Sequence, residues 1–133
     1  DYGGIAPKTY VIDPLTRTVC DSLNLAISGM ALAGDSIYAY SSVWDYTTGE
    51  NTFGYHLIDI RTREVISENF ITDVTDIRTP YGIAVSPTTR EIYVTDAGDY
   101  VNPGYLHSFT PEGNSKSKVR TGDFPADIAF VLP

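Results

Sequence analysis

The chain contains an internal repeat, and this feature constrains its fold more than any other. ISGMALAGDSIYA at 27–39 aligns with PYGIAVSPTTREIYV at 80–94, and PADIAFVLP at 125–133 begins the same pattern again. A second match joins TYVIDPLTRTV at 9–19 to YHLIDIRTREV at 55–65. The spacings are about 46 to 55 residues, which is typical of β-propeller blades and too long for leucine-rich or helical repeats. No helical periodicity competes with this interpretation.

Each repeat unit divides into short strands separated by turn residues, as a propeller blade requires. The sequence therefore predicts an all-β chain, a β-propeller fragment of about two and a half four-stranded antiparallel blades. The strands of a blade are named a to d from the axis outward. The first expected unit, 1–25, holds strands c (9–13) and d (17–21), and the last, 125–133, holds strand a (126–132) of a closing blade. Between them lie two full blades: 26–73, with strands at 27–33, 36–42, 54–60 and 64–71, and 80–124, with strands at 81–86, 91–96, 104–110 and 117–122.

Two and a half blades are too few to close a ring, which usually has 4 to 8. We expect the missing blades to come from upstream sequence or from another chain. Without them, two sheet edges and two apolar faces would be exposed, and such surfaces favour association.

Charge and composition narrow the function. The net charge is −8 and the pI is about 4.4, so binding to nucleic acid or to an anionic lipid surface is disfavoured. No apolar run is long enough to span a membrane, and the first residues do not resemble a signal peptide. Cys20 is the single cysteine, and we expect it to be a buried structural thiol.

The expected binding surface lies on the two b-to-c connections, which are longer than the turns at the opposite end. Residues 41–54 include Trp44, Asp45, Tyr46 and Phe53, and residues 96–104 include Asp96, Asp99, Tyr100 and Asn102. Long aromatic connections on one rim favour a ligand site, because binding residues concentrate on loops held by a rigid scaffold. The alternative is that these aromatic side chains only pack the loops.

Asp96, Asp99 and Asn102 carry oxygen ligands that suit Ca²⁺, but their spacing is not that of a known calcium loop. We favour a structural turn in which Asp and Asn bond their own backbone, and we predict no metal and no cofactor. His56 and His107 occupy equivalent positions of the repeat, which explains them without catalysis. Because no catalytic motif is present, we expect a protein that is not an enzyme.

Residues 80–133 resemble the C-terminal blades of YncE-like β-propeller surface lipoproteins of Bacteroidetes. PYGIAV at 80–85, IYVTDAGDY at 92–100 and TGDFPADIAF at 121–130 carry the resemblance, and LIDIRTREVI at 57–66 extends it more loosely. It implies a propeller exported to the extracellular face of the outer membrane. Some members capture cobalamin beside a TonB-dependent transporter, but no cobalamin-contact motif can be matched residue by residue here.

The leading hypothesis is therefore an exported ligand-binding propeller that captures a small molecule or surface ligand, with an outer-membrane transporter as a partner. Secretion or a periplasmic location is the alternative to the outer surface. Two other functions stay open: a hydrolase or lyase whose catalytic residues lie in the missing blades, and a scaffold for protein interactions.

Overall fold

A computed structural model describes residues 5–73 and 77–131. These residues form three antiparallel β-sheets and contain no helix. The first sheet has two strands, β1 (Thr9–Asp13) and β2 (Thr18–Leu23). The second has four, β3 (Gly29–Ala33), β4 (Ser36–Asp45), β5 (Glu50–Asp59) and β6 (Glu64–Ser67). The third also has four, β7 (Pro80–Val85), β8 (Ile92–Asp96), β9 (Tyr105–Phe109) and β10 (Ser115–Arg120).

Each four-stranded sheet is a meander in which every strand pairs with the next along the chain. The repeat seen in the sequence is thus a repeat of sheets, and the all-β prediction is confirmed. β3 and β7, the first strands of the second and third sheets, lie side by side. Within the described ranges the three sheets do not close into a ring.

The main core fills the space between the second and third sheets. Tyr38 of β4 contacts the edge of Phe70 with ring centroids 5.2 Å apart. Ile92, Val94 and Phe109 of the third sheet are completely buried against this layer. Because residues two apart on a strand share a face, the second and third sheets each contribute one apolar face to the core.

Four tight turns share one geometry, and their sequences are DPLTR, DYTTG, DIRTR and SPTTR, at 13–17, 45–49, 59–63 and 86–90. In each, the amide of the fifth residue donates to the carbonyl of the first. The fifth residue has a positive φ of 58° to 71°. In the three turns that begin with Asp, the carboxylate accepts the amides two and three residues further on, which stabilises the turn locally.

The second of these turns corrects a prediction. Residues 41–54 were expected to form a long loop, but β4 continues to Asp45 and β5 begins at Glu50, so only 46–49 connect them. The ladder runs without a break from Ser36↔Asp59 to Asp45↔Glu50. The tight turn at 45–49 allows this pairing to continue, so the expected loop is a β-hairpin that extends past the neighbouring strands.

Three smaller predictions were also wrong. The strand expected over 64–71 ends at Ser67, because Phe70 and Ile71 turn into the core. The strand expected over 126–132 is not formed at 126–131, where no neighbouring strand supplies hydrogen bonds; Leu132 lies outside the described residues. Cys20 is exposed rather than buried, since its face of the two-stranded sheet is uncovered.

The last described segment nevertheless packs on the outer face of the third sheet. Phe130 contacts Tyr93 with ring centroids 5.6 Å apart. Gly82 allows this approach, because a Cβ at that position would lie 2.1 Å from the carbonyl oxygen of Ala126. In the described part of the chain, no helix is long and apolar enough to cross a bilayer.

Candidate functional site

Three aromatic side chains cluster where β7 and β9 begin and β8 and β10 end. Tyr100 lies between Tyr81 and Phe124, with ring centroids 6.0 Å and 5.6 Å away respectively. The Tyr100 and Phe124 rings are tilted by 33°, whereas Tyr81 meets Tyr100 edge-on at 78°. All three stay 42 to 50% exposed. We call these three residues the aromatic platform.

The backbone beneath the platform is strained. Tyr100 has a φ of 62° and Phe124 a φ of 51°, in the left-handed region that bulky side chains rarely adopt. Each such residue costs about 1–3 kcal/mol. Two ring contacts at about 0.5–1.5 kcal/mol each offset only part of that cost. The stacking therefore does not by itself explain why aromatic residues occupy these positions.

The 97–104 loop that carries Tyr100 is fixed by Asp99. Its carboxylate accepts the amides of Val101 and Asn102 at 3.0 and 2.9 Å and the Asn102 side-chain amide at 2.9 Å. The amide and side chain of Asn102, together with the Val101 amide, lower the pKa of Asp99 to about 2. The structural turn favoured for this segment is confirmed.

Asp96, at the end of β8, also holds the 97–104 loop in place. It accepts the amides of Thr79 and Gly98, both at 2.8 Å, and of Arg78 at 3.1 Å. His107 Nε2 lies 3.8 Å from its Oδ2, and both side chains are almost fully buried. Burial alone would raise the pKa of Asp96, but the imidazole and the three amides outweigh burial and lower it to about 2.

Two tyrosines, the buried Tyr40 and the partly buried Tyr55, have raised pKa values. Burial, with smaller contributions from Tyr100 and Tyr81, raises the pKa of Tyr40. Burial and the charge of Asp96 raise the pKa of Tyr55, whose hydroxyl has no hydrogen-bond partner among the described residues. Both phenols are therefore neutral.

The other predicted site residues lie on the β4–β5 hairpin. Trp44 and Phe53 are in paired strands, and Tyr46 is in the turn, 67% exposed. The Asp45 carboxylate accepts the amides of Thr47 and Thr48. Among the described residues, no ring contact joins the hairpin to the aromatic platform, so the structure does not bring the two predicted sets into one site. Whether the hairpin binds a ligand stays a prediction.

Beside the platform lies a cleft of about 460 Å³. Its cationic side chains are Arg78, Lys118 and Arg120, and its other lining residues are Asp96, Gly98, Asp99, Asn102, Pro103 and Tyr105. The Lys118 ammonium lies 4.3 Å from the centre of the Tyr105 ring, and Arg78 lies 3.6 Å from Asp99. We call this the cationic cleft. It shares the 97–104 loop with the aromatic platform.

The two histidines occupy equivalent positions, as predicted. His56 is paired with Ala39 and His107 with Val94, on β5 and β9 respectively. His56 Nε2 lies 3.0 Å from Ser41 Oγ, and its Nδ1 lies 3.3 Å from Glu68. This order of groups is similar to a hydrolase triad, but Ser41 is only 6% exposed and does not line the cationic cleft. The recurrence in the next sheet favours a structural role.

Sequence reasoning missed Tyr81, Phe124 and the three cations. Tyr81 was assigned to a strand and Phe124 to the connection between two strands, and nothing in their sequence spacing places them beside Tyr100. A usable signal existed for the hairpin, since DYTTG at 45–49 shares Asp at its first position and Thr at its fourth with DPLTR and DIRTR. The described residues contain no cluster of three or more potential metal ligands. No protein-family model and no curated protein matches the chain.

Proposed function

We propose that this chain is part of a ligand-binding β-propeller and that the aromatic platform is its ligand-contacting surface. The observation that carries the proposal is the pair of half-exposed aromatic residues, Tyr100 and Phe124, at left-handed backbone positions. Arg17, Arg63 and Arg90 adopt the same backbone region in tight turns, so the conformation supports a site only at Tyr100 and Phe124, where it presents two half-exposed rings in contact with each other.

The platform suits a ligand with a flat, weakly polar ring face. Three fixed rings offer π surface and two phenolic hydroxyls, and they lose little side-chain entropy on binding because the loop that carries Tyr100 is already ordered. Asp99 and Asp96 supply that order through amide hydrogen bonds. Their role in this proposal is to hold the loop rather than to contact the ligand.

The propeller belongs to the same proposal. Two matching four-stranded meanders packed side by side, and a final segment that packs on the third sheet, are what consecutive blades of a ring would show. Its location on the outer surface of a cell and its transporter partner rest on the resemblance of residues 80–133. A corrinoid is one ligand with the required ring, but nothing in the platform selects it over other rings.

The test is a titration of the 133-residue chain with 2-naphthol, a small neutral ring, and with cyanocobalamin, a large one. We expect at least one probe to bind, and Tyr100→Ala and Phe124→Ala each to weaken that binding at least tenfold. Tyr46→Ala is the matched control, since Tyr46 is an exposed tyrosine of the hairpin. Equal affinity in the wild-type and Tyr100→Ala proteins, or loss of binding in the control alone, would contradict the assignment of the platform.

A further inference from the structure

We infer that the cationic cleft binds the anionic group of the ligand whose ring lies on the aromatic platform, so that the ligand is a ring compound bearing a phosphate or carboxylate. This inference rests on the proposed function for the ring half of the ligand. The anionic half has its own evidence.

The first evidence is the concentration of positive charge. The chain has 9 Lys and Arg residues against 17 Asp and Glu, yet three of the nine line one cleft. Lys118 and Arg120 are two residues apart on β10, and their register partners on β9 are His107 and Tyr105. They therefore point to the same side of the sheet, where like charges repel unless an anion lies between them.

The second evidence is that the two carboxylates of the cleft are already occupied. Asp96 accepts three amides and faces His107, and Asp99 accepts hydrogen bonds from two amides and Asn102 and pairs with Arg78. Within the described residues, neither Lys118 nor Arg120 forms an ion pair. By contrast, Lys116 on the same strand pairs with Glu91. An anion entering the cleft meets the two cations that have no carboxylate partner.

The third evidence is the position of the cleft relative to the platform. Asp99 lines the cleft and the next residue, Tyr100, is the centre of the platform. The stacking on Tyr105 holds the Lys118 ammonium in place without neutralising it. With a volume of about 460 Å³, the cleft lies in the range of small-molecule sites. One compact ligand can therefore place a ring on the platform and a charged group in the cleft.

The experiment uses four probes with the 133-residue chain at low ionic strength: 2-naphthol, inorganic phosphate, 2-naphthyl phosphate and 2-naphthoate. We expect 2-naphthyl phosphate or 2-naphthoate to bind at least tenfold more tightly than 2-naphthol. Lys118→Gln/Arg120→Gln should remove that gain and leave the affinity for 2-naphthol unchanged. Lys116→Gln, on the same strand, should keep the gain. Arg120 is exposed, so Arg120→Gln alone should remove part of the gain in affinity with no loss of thermal stability.

The outcomes separate the two proposals. Affinity for both charged naphthyl probes that is equal to or below that for 2-naphthol overturns the anion site. A gain that survives Lys118→Gln/Arg120→Gln also overturns it. If phosphate binds and is lost in the double variant while 2-naphthol does not bind, the anion site stands and the ring platform falls. A gain with phosphate but not with carboxylate, or the reverse, identifies the anion that the cleft selects.

Discussion

Asp96 is the residue whose removal should most disturb the loop that carries the candidate site. It is 3% exposed and accepts three backbone amides. Asp96→Ala removes the acceptor of three partly buried amides and the carboxylate that faces His107, and we expect a loss of about 3–5 kcal/mol in the free energy of unfolding. In Asp96→Asn the side-chain oxygen can still accept the backbone amides of Thr79 and Gly98, as Oδ1 does now. The side-chain NH2 group takes the place of Oδ2 and cannot accept the backbone amide of Arg78. We expect this substitution to cost about 2–3 kcal/mol.

The pKa of Asp96 gives a second, independent magnitude. A shift from 3.8 to about 2 corresponds to about 2 kcal/mol in favour of the ionised folded state. Because the folded pKa is lowered, this stabilisation is complete above the unfolded value near 4 and is lost as pH falls towards 2. The difference between the wild-type and Asp96→Asn proteins should therefore shrink across that window.

The assay is equilibrium urea unfolding of the wild-type, Asp96→Asn and Asp96→Ala proteins at several pH values between 7 and 2. Asp45→Asn is the control, because its side-chain oxygen can still accept the Thr47 and Thr48 amides of an exposed turn. An Asp96→Asn protein within about 0.5 kcal/mol of wild type at pH 7 would refute this reasoning. So would a difference that stays constant from pH 4 to pH 2.

Three further predictions concern other parts of the molecule. Gly82→Ala should lower the free energy of unfolding by about 1–3 kcal/mol and separate Phe130 from Tyr93, because the new methyl group would collide with the Ala126 carbonyl. The Phe130 ring resonances in NMR spectra report this contact. Tyr100→Asn should weaken binding of 2-naphthol without lowering stability, because asparagine tolerates the left-handed backbone; a drop of more than about 1 kcal/mol on urea unfolding would count against strain at this position. Leu32→Ser should reduce self-association in sedimentation experiments, because Leu32 is 68% exposed on an uncovered apolar face, and it should lower the free energy of unfolding by less than about 1 kcal/mol. Unchanged self-association would show that this face does not mediate association.

The strands could be predicted because their signal is local and repeated. Alternation in IYVTD and in TYVID fixes which residues form β8 and β1, and the repeat confirms each assignment from a second copy. The β4–β5 hairpin was missed for a local reason as well. The polar stretch near Thr47 was interpreted as a loop, although its turn, DYTTG, shares Asp at the first position and Thr at the fourth with DPLTR and DIRTR. The repeat comparison covered the turns at 13–17 and 59–63 but not the one at 45–49.

The candidate site could be predicted only in part. Tyr100 was found because it lies on an elaborated loop, but Tyr81 and Phe124 join it through tertiary packing between segments 19 and 24 positions away in the sequence. The positive φ values of Tyr100 and Phe124 leave no mark in the sequence, since neither residue type favours that conformation. The cationic cleft could not be predicted either, because Arg78 and Arg120 are far apart in the sequence and line one cleft only when the third sheet has formed.

The central claim, that the aromatic platform binds a ring-bearing ligand, is tested most directly by intermolecular nuclear Overhauser effects between 2-naphthol and the assigned side chains of the protein. The account predicts cross-peaks from the naphthyl protons to the rings of Tyr81, Tyr100 and Phe124. All three rings are about half exposed, and those of Tyr81 and Phe124 lie 6.0 and 5.6 Å from the Tyr100 ring. Cross-peaks confined to Trp44, Tyr46 or Phe53 of the hairpin would contradict it.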